Sequence, residues 1–404
     1  MQRSSVVGAA PASTRLLQLD LLRGFAIFAV LGMHSPSEPG GSGLLRPIDS
    51  FIHRYGWTGV DLFFVLSGFL IGGLLFTELR QHGNFDARRF FLRRALRIWP
   101  SFYVFVAFVF IQIALEPGGS IKAAWASMWP ALVHIQNFIL CPRDHLWSLA
   151  VEEHFYALLP LFLLVVTRNK NARAGIKAVP LACIIICVSS VALRSLLVLT
   201  GHASGRTQTY MCIDALFFGV NLAYLKSYRP DVLADVARRK WTLLVGFLLI
   251  LPAGVRSTVF LDMVGYTMVY LGYALILIHI VSIKPGEGRW GGWMLTWPAR
   301  LVAAIGVNSY SIYLWHRDAG WLGYDASKWL LRLGQPSPEI RWLCNTVAFM
   351  VAGIIGGSII DKVIEQPTQR IRAKLFPARP SVQAALPATA SPALLSTEQS
   401  SAVE

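Results

Sequence analysis

The chain is a succession of apolar runs, several of them long enough to cross a bilayer as helices, separated by short polar or Gly/Pro-rich turns. A hydrocarbon core of roughly 30 Å asks for about 20 helical residues. Backbone inside it must satisfy its own hydrogen bonds, which leaves helices or closed barrels. Continuous apolar runs without strict alternation favour helices. Composition agrees, since 54% of the 404 residues are hydrophobic, 15% are charged and the mean hydropathy is +0.51. Such a balance excludes a soluble globule.

The expected fold class is therefore all-α: a polytopic transmembrane helical bundle with about ten spans. They fall at roughly 17–34, 56–77, 99–116, 147–167, 178–200, 211–225, 241–254, 258–282, 300–316 and 342–364. Segment 241–254 is short for a span. Segment 121–140, with Trp125, Trp129 and Pro130, reads as an interfacial or re-entrant helix, because counting it as a span would invert the charge pattern downstream.

Lys and Arg number 37 against 22 Asp and Glu. A basic excess suits nucleic acid, anionic lipid or a phosphorylated ligand. With the N-terminus inside, most of these cations fall on cytoplasmic segments: Arg3 and Arg15, then 78–98, 168–177, 226–240, 284–300 and 366–380. That bias follows the positive-inside rule and supports N-in, C-in topology, so a bilayer and not a nucleic acid is the expected partner. Residues 1–15 are expected to form a cytoplasmic segment. The small residues of GAAPAS precede the first apolar run, so that run is expected to remain as an anchor. The membrane domain is expected over 16–376, with a disordered, Ala-, Ser- and Pro-rich cytoplasmic tail over 377–404. The five cysteines form no CxxC pair, so neither a disulfide framework nor a metal site is expected.

Within the first run, LDLLRGFAIFAVLGMH, Arg23 and His34 lie eleven residues apart. On a helix that spacing puts them on one face, separated by about 16 Å. Ionisable groups at such depth are costly and usually functional. An Arg snorkelling to one surface and a His in the opposite headgroup layer is the simpler alternative. In GWTGVDLFFVLSGFLIGGLL the glycines at 56, 59, 68, 72 and 73 suit close helix approach. Asp61 near the outer end and Ser67 at mid-depth each need a partner.

In FLRRALRIWPSFYV, Arg93, Arg94 and Arg97 precede a span on the cytoplasmic side. They serve either as an anchor on anionic lipid or as guanidinium forks for a ligand with several phosphates. In HLWSLAVEEHFYALLP, Ser148, Glu152 and Tyr156 share one helical face, Glu153 and His154 point elsewhere, and Trp147 joins the aromatic belt. In NSYSIYLWH, Tyr310, Tyr313 and His316 follow at i, i+3 and i+6, ending at the outer surface.

Six collinear motifs carry a family resemblance: Arg23-x10-His34, GVDLFFVLSGFLI at 59–71, RRALRIWP at 93–100, LWSLAVEEHFY at 146–156, YSIYLWH at 310–316 and Glu365-Gln366-Pro367. Together they resemble the acyltransferase 3 family of integral membrane O-acyltransferases over about residues 15–376. The resemblance implies transfer of an acyl group, often acetyl, from cytoplasmic acyl-CoA to a hydroxyl of a glycan or secondary metabolite. It places Arg23 and His34 at the centre of activity. His154 stands where many relatives have Gln, and no catalytic role is assigned to it.

The expected function is a membrane O-acyltransferase of a bacterial inner (plasma) membrane, moving an acyl group from acyl-CoA to a cell-surface or exported polysaccharide. Acyl-CoA would be a substrate, with no bound cofactor. His34 would act as general base, or as a transiently acylated nucleophile, with Glu152 or Asp61 orienting its ring. Arg23 is a contact for the CoA arm or a polar structural partner, its pKa being too high for proton transfer. Arg93, Arg94, Arg97, Ser67, Trp147, Ser148, Tyr156, Tyr310 and His316 are the candidate substrate contacts. A macrolide-type acceptor and a non-enzymatic transporter are the alternatives.

Overall fold

A computed structural model of the chain describes residues 16–377 except 38–44, 140, 168–171, 203–205, 256, 333 and 335. Residues 1–15 and 378–404, expected to be terminal segments outside the bundle, lie outside the described residues. Among the described residues there are helices and no strand. The helices are α1 (Leu17–His34), α2 (Arg46–Tyr55), α3 (Thr58–His82), α4 (Ala87–Leu115), α5 (Ile121–Leu132), α6 (Trp147–Thr167), α7 (Ala172–Leu199), α8 (Thr209–Tyr228), α9 (Pro230–Arg238) and α10 (Trp241–Ile250). They continue with α11 (Thr258–Phe260), α12 (Tyr266–Ser282), α13 (Gly288–Met294), α14 (Trp297–Val307), α15 (Ser309–Leu331), α16 (Pro338–Ile360) and α17 (Gln366–Leu375).

Seven helical segments among the described residues are long and apolar enough to cross a membrane. They contain α1, α3, α4, α6, α7, α12 and α16. Their outer faces are lined with large apolar side chains that water would not tolerate in such number: on α7, Leu181, Ile185, Val188, Leu196 and Leu199 are all exposed. The chain is a multi-pass integral membrane protein. Helices α8 and α15 are also long, but α8 buries Asp214 and Asn221, and α15 carries His316, Arg317 and Asp318. Neither is among the seven.

Two expected boundaries change. Segment 300–316 is not one span, because the chain turns at Asn308 between α14 and α15, and α15 then runs on to Leu331. YSIYLWH therefore opens a helix and does not end one. Within 121–140 only the 12 residues of α5 are helical, about 18 Å of rise, well short of a hydrocarbon core. His134 follows with φ 58°, a left-handed backbone unusual outside Gly, at the turn leaving α5.

Close backbone approach fixes the core. A Cβ on Gly68 would lie 1.9 Å from the carbonyl oxygen of Leu216, so α3 and α8 touch almost backbone to backbone there. Gly24 and Gly306 do the same for α1 and α14, where Cβ atoms would stand 2.3 Å from the Val302 carbonyl and 1.9 Å from that of Asp20. α15 and α16 lie against each other along their lengths, Gly357 facing Ile312. Arg194 of α7, 1% exposed, is the largest fully buried side chain among the described residues. It pairs with Asp214 at 2.9 Å and donates to the Asp262 carbonyl and the Thr267 hydroxyl, joining α7, α8 and α12. All five cysteines are free.

Candidate active site

Three arginines from two helices converge on a cavity of about 110 Å³: Arg23 of α1 with Arg94 and Arg97 of α4. Asp86 caps α4 by accepting the Arg89 backbone N–H at 2.9 Å, which sets the start of the helix. Residues three apart then share a face, and here that face is the cavity wall. Arg23 is held at 3.0 Å by Asp20, one turn earlier on the same helix. Arg93 is not on the wall; it faces Arg89 and Glu78. Of the three candidate phosphate contacts on α4, the structure brings two to the cavity.

Most of the rest of the wall comes from α3, α6 and α15. Ser148, Glu152 and Tyr156, the expected i, i+4, i+8 stripe, all line it. Glu152 accepts a hydrogen bond from the Ser67 hydroxyl at 3.0 Å, and the Tyr156 hydroxyl donates to its other oxygen. Arg94 lies over the Tyr156 ring, 5.6 Å from its centroid. Tyr310, also on the wall, donates to the Ile98 carbonyl at 3.1 Å, next to the prolyl residue pair Trp99-Pro100 of α4. A cavity of this kind can receive an anion on its arginines while offering hydroxyls and one carboxylate to a neutral group.

Glu153 and His154 do point elsewhere. The Trp99 indole donates to Glu153 at 3.0 Å, and His154 Nδ1 lies 2.6 Å from the Thr209 hydroxyl. Glu365, of the Glu365-Gln366-Pro367 motif, is buried. Ser311 and Gln369 each donate to it at 2.8 Å, and the charges of Arg97 and Asp361 both act on it, so it belongs to a polar layer next to Arg97 of the cavity wall.

The remaining candidates are elsewhere. Asp61 does not reach His34: it pairs with Arg206, whose guanidinium is stacked over Trp57 at 4.8 Å and Tyr266 at 4.2 Å. Glu152 does not orient His34 either, both its oxygens being taken by Ser67 and Tyr156. Trp147 is off the cavity wall, edge-on to Phe64 at 5.9 Å. His316 is fully buried, has both ring nitrogens in protein contacts, and is not on the cavity wall. For Asp61, Trp147 and His316 the physical reason is the same: a helix face fixes which neighbours are reachable, and these side chains lie on faces turned toward other helices. Glu152, by contrast, is on the cavity wall but has no contact with His34.

His34 sits instead in a cluster of imidazoles. Its Nδ1 is 3.0 Å from the Val30 carbonyl and 3.3 Å from His316 Nε2, and the His145 ring centroid lies 5.2 Å from that of His316. Among the described residues no three His, Cys, Asp or Glu side chains converge as a metal-binding group. The cluster abuts the cavity through Tyr313: its side chain is on the wall, its hydroxyl 2.6 Å from that of Ser148, and its carbonyl meets His316 Nδ1 at 2.6 Å. His145 was not a candidate from sequence, and no spacing rule singles it out.

A polytopic helical membrane protein with an arginine-lined cavity and an imidazole cluster beside it is the class these features define. The sequence profile of the acyltransferase 3 family, described as an acyltransferase domain, matches residues 16–362. The chain belongs to that family. It is similar to the peptidoglycan O-acetyltransferase OatA of Listeria monocytogenes, 28% identical over 336 residues that cover 74% of this chain and 48% of the relative. The O-acetyltransferase OatA of Staphylococcus aureus is 26% identical over 320 residues, covering 74% and 49%. The chain spans about half the length of these relatives. No solved structure matches it.

Proposed function

We propose that the protein is an acyl-CoA-dependent membrane O-acyltransferase that places an acetyl group on a hydroxyl of a cell-surface or exported polysaccharide. The observation that carries this reading is the convergence of Arg23, Arg94 and Arg97 on one small cavity that Glu152, Ser67 and Tyr156 also line. Similarity to O-acetyltransferases, one of them named for peptidoglycan, supports a glycan acceptor. On an N-in, C-in, ten-span reading the arginines open to the cytoplasm of a bacterial inner membrane, where acyl-CoA is made.

Arg94 and Arg97 would take the phosphates of the donor as charge-assisted pairs. Arg23 would meet the pantetheine arm deeper in the cavity. The thioester then has to approach His34, about 16 Å farther along α1. There the imidazole removes the acceptor's O–H proton as the oxygen bonds to the carbonyl carbon. The C–S bond breaks, and the CoA thiolate leaves to take up a proton. Acylation of the imidazole followed by transfer to the hydroxyl is the two-step variant of the same balance.

The test is mass spectrometry of surface polysaccharide from cells with and without the gene, read for the acetyl mass difference, paired with acetyl-CoA consumption by the full chain in proteoliposomes. An acetyl difference with matching CoA release supports the reading. An unchanged glycan together with no CoA release overturns it.

A further inference from the structure

The Tyr313 carbonyl oxygen begins a hydrogen-bonded path that ends on the imidazole of His34. His316 Nδ1 lies 2.6 Å from the Tyr313 carbonyl oxygen. A carbonyl only accepts, so Nδ1 carries the proton, and in the neutral ring Nε2 presents a lone pair. That Nε2 lies 3.3 Å from His34 Nδ1, with the two rings edge to face at a centroid distance of 4.9 Å. His34 Nδ1 is also 3.0 Å from the Val30 carbonyl, again an acceptor, so this nitrogen too carries a proton. In the neutral ring the lone pair of His34 is then on Nε2, for which no protein partner is found among the described residues.

We propose that His316 is a positioning residue for His34: from α15 its Nε2 accepts the longer branch of a hydrogen bond that the His34 Nδ1–H shares with the Val30 carbonyl, so that Nε2 of His34 is held as the basic or nucleophilic nitrogen. The inference rests on the reading of His34 as the reacting imidazole. The Val30 carbonyl constrains the ring only relative to its own helix. His316 ties it to the helix that carries Tyr310 and Tyr313 on the cavity wall. As His34 takes a proton at Nε2, the bond to His316 becomes charge-assisted and strengthens. His316 thus fills the place that an orienting third group holds in nucleophile–base arrangements, but as a neutral acceptor. Burial of His316 and the flanking ring of His145, whose own Nε2 is 3.2 Å from the Leu314 carbonyl, leave it little freedom to turn. The other charged or titratable groups facing His34 are Arg317 on α15, which pairs with Asp144, and His53 on α2, which pairs with Asp49.

The experiment compares His316→Gln, His316→Asn and His34→Ala with wild type in proteoliposomes, using acetyl-CoA and an N-acetylglucosamine oligosaccharide as probe. Gln places an acceptor oxygen where Nε2 stands; Asn is similarly polar but too short to reach His34. The expected result is a Gln variant close to wild type and an Asn variant with kcat lowered roughly 10–100-fold, the scale of one charge-assisted bond. KM for acetyl-CoA should hold in both, because the arginines are untouched, and the acid limb of the rate profile should move in Asn more than in Gln. Equal kinetics for Gln and Asn, whether both active or both impaired, overturns the assignment. An inactive wild type, or an active His34→Ala, instead overturns the reading of His34 itself.

Discussion

Ser67 on α3 donates a 3.0 Å hydrogen bond to Glu152 on α6, and with Tyr156 on the other oxygen the carboxylate is fixed beside Arg23 and Arg94. The cavity wall carries one carboxylate and three guanidiniums. Arg23 is also paired with Asp20 and Arg97 lies near Glu365, which leaves Arg94 as the cation with no carboxylate partner of its own besides Glu152, among the described residues, on which to receive an anionic ligand. Glu152→Gln keeps an acceptor for Ser67 and removes the charge. We expect kcat to fall while the acid limb of the pH–rate profile, set by His34, stays in place, since no contact links the two residues. A displaced limb would return Glu152 to the role of ring orienter.

Arg94→Ala with Arg97→Ala should raise KM for acetyl-CoA far more than KM for the acceptor. Each lost guanidinium removes charge-assisted contacts worth about 1.5–3 kcal/mol, roughly tenfold or more apiece. Arg93→Ala is the internal control, being off the cavity wall. A KM effect of equal size in Arg93→Ala would mean that overall basic charge, not the cavity, attracts the donor; steady-state kinetics at two salt concentrations separates these.

The stripe Ser148, Glu152, Tyr156 was legible in the sequence because all three lie on one helix, where a period of 3.6 fixes the face. The packing role of Gly68 and Gly72 was legible for the same reason. What escaped are relations between helices. Whether Arg93 or Arg94 joins Arg97 depends on how α4 is rotated against its neighbours, and the flanking sequence suits either. The partner of His34 is 282 residues away in the chain, and that of Asp61 is 145 away, with no local pattern announcing either. The turn at Asn308 escaped as well: Gly306 and Asn308-Ser309 are turn-prone, but no proline marks it and the apolar runs on either side are together about the length of one span.

His34→Ala should abolish transfer and leave the bundle intact. His34 is the last residue of α1 and only partly buried, so its loss removes little packing. Loss of a general base costs about 10²–10⁴-fold in rate. Detergent size-exclusion profiles matching wild type, alongside CoA release at background, are the expected pair of results; near-wild-type release would exclude His34 from the chemistry.

Gly68→Val should destabilise the bundle, because its Cβ would collide with backbone of α8 at Leu216 and no rotamer change relieves that. Overpacking of this kind costs roughly 1–3 kcal/mol. Gly73→Ala, with no atom within 4 Å of the added Cβ, should be neutral or slightly stabilising. Thermal melts in detergent give the comparison, and equal melting of the two variants would mean that α3 and α8 are less closely packed than the glycine contacts require.

Arg194 and Asp214 are each 1% exposed, and removing one partner leaves the other as an uncompensated charge in the bundle. Asp214→Asn should therefore lower stability by about 3–5 kcal/mol, whereas a well-packed apolar pair in place of both should recover much of the loss. Recovery in Arg194→Met with Asp214→Leu would be incomplete, because Arg194 also donates to the Asp262 carbonyl and to Thr267, and those acceptors would be stranded. The pair lies outside the arginine-lined cavity, so the fraction of Asp214→Asn that stays folded should keep its KM for acetyl-CoA. A melt indistinguishable from wild type would show that the three helices are held by packing alone. A selective rise in KM in a well-folded variant would instead couple this ion pair to the donor cavity.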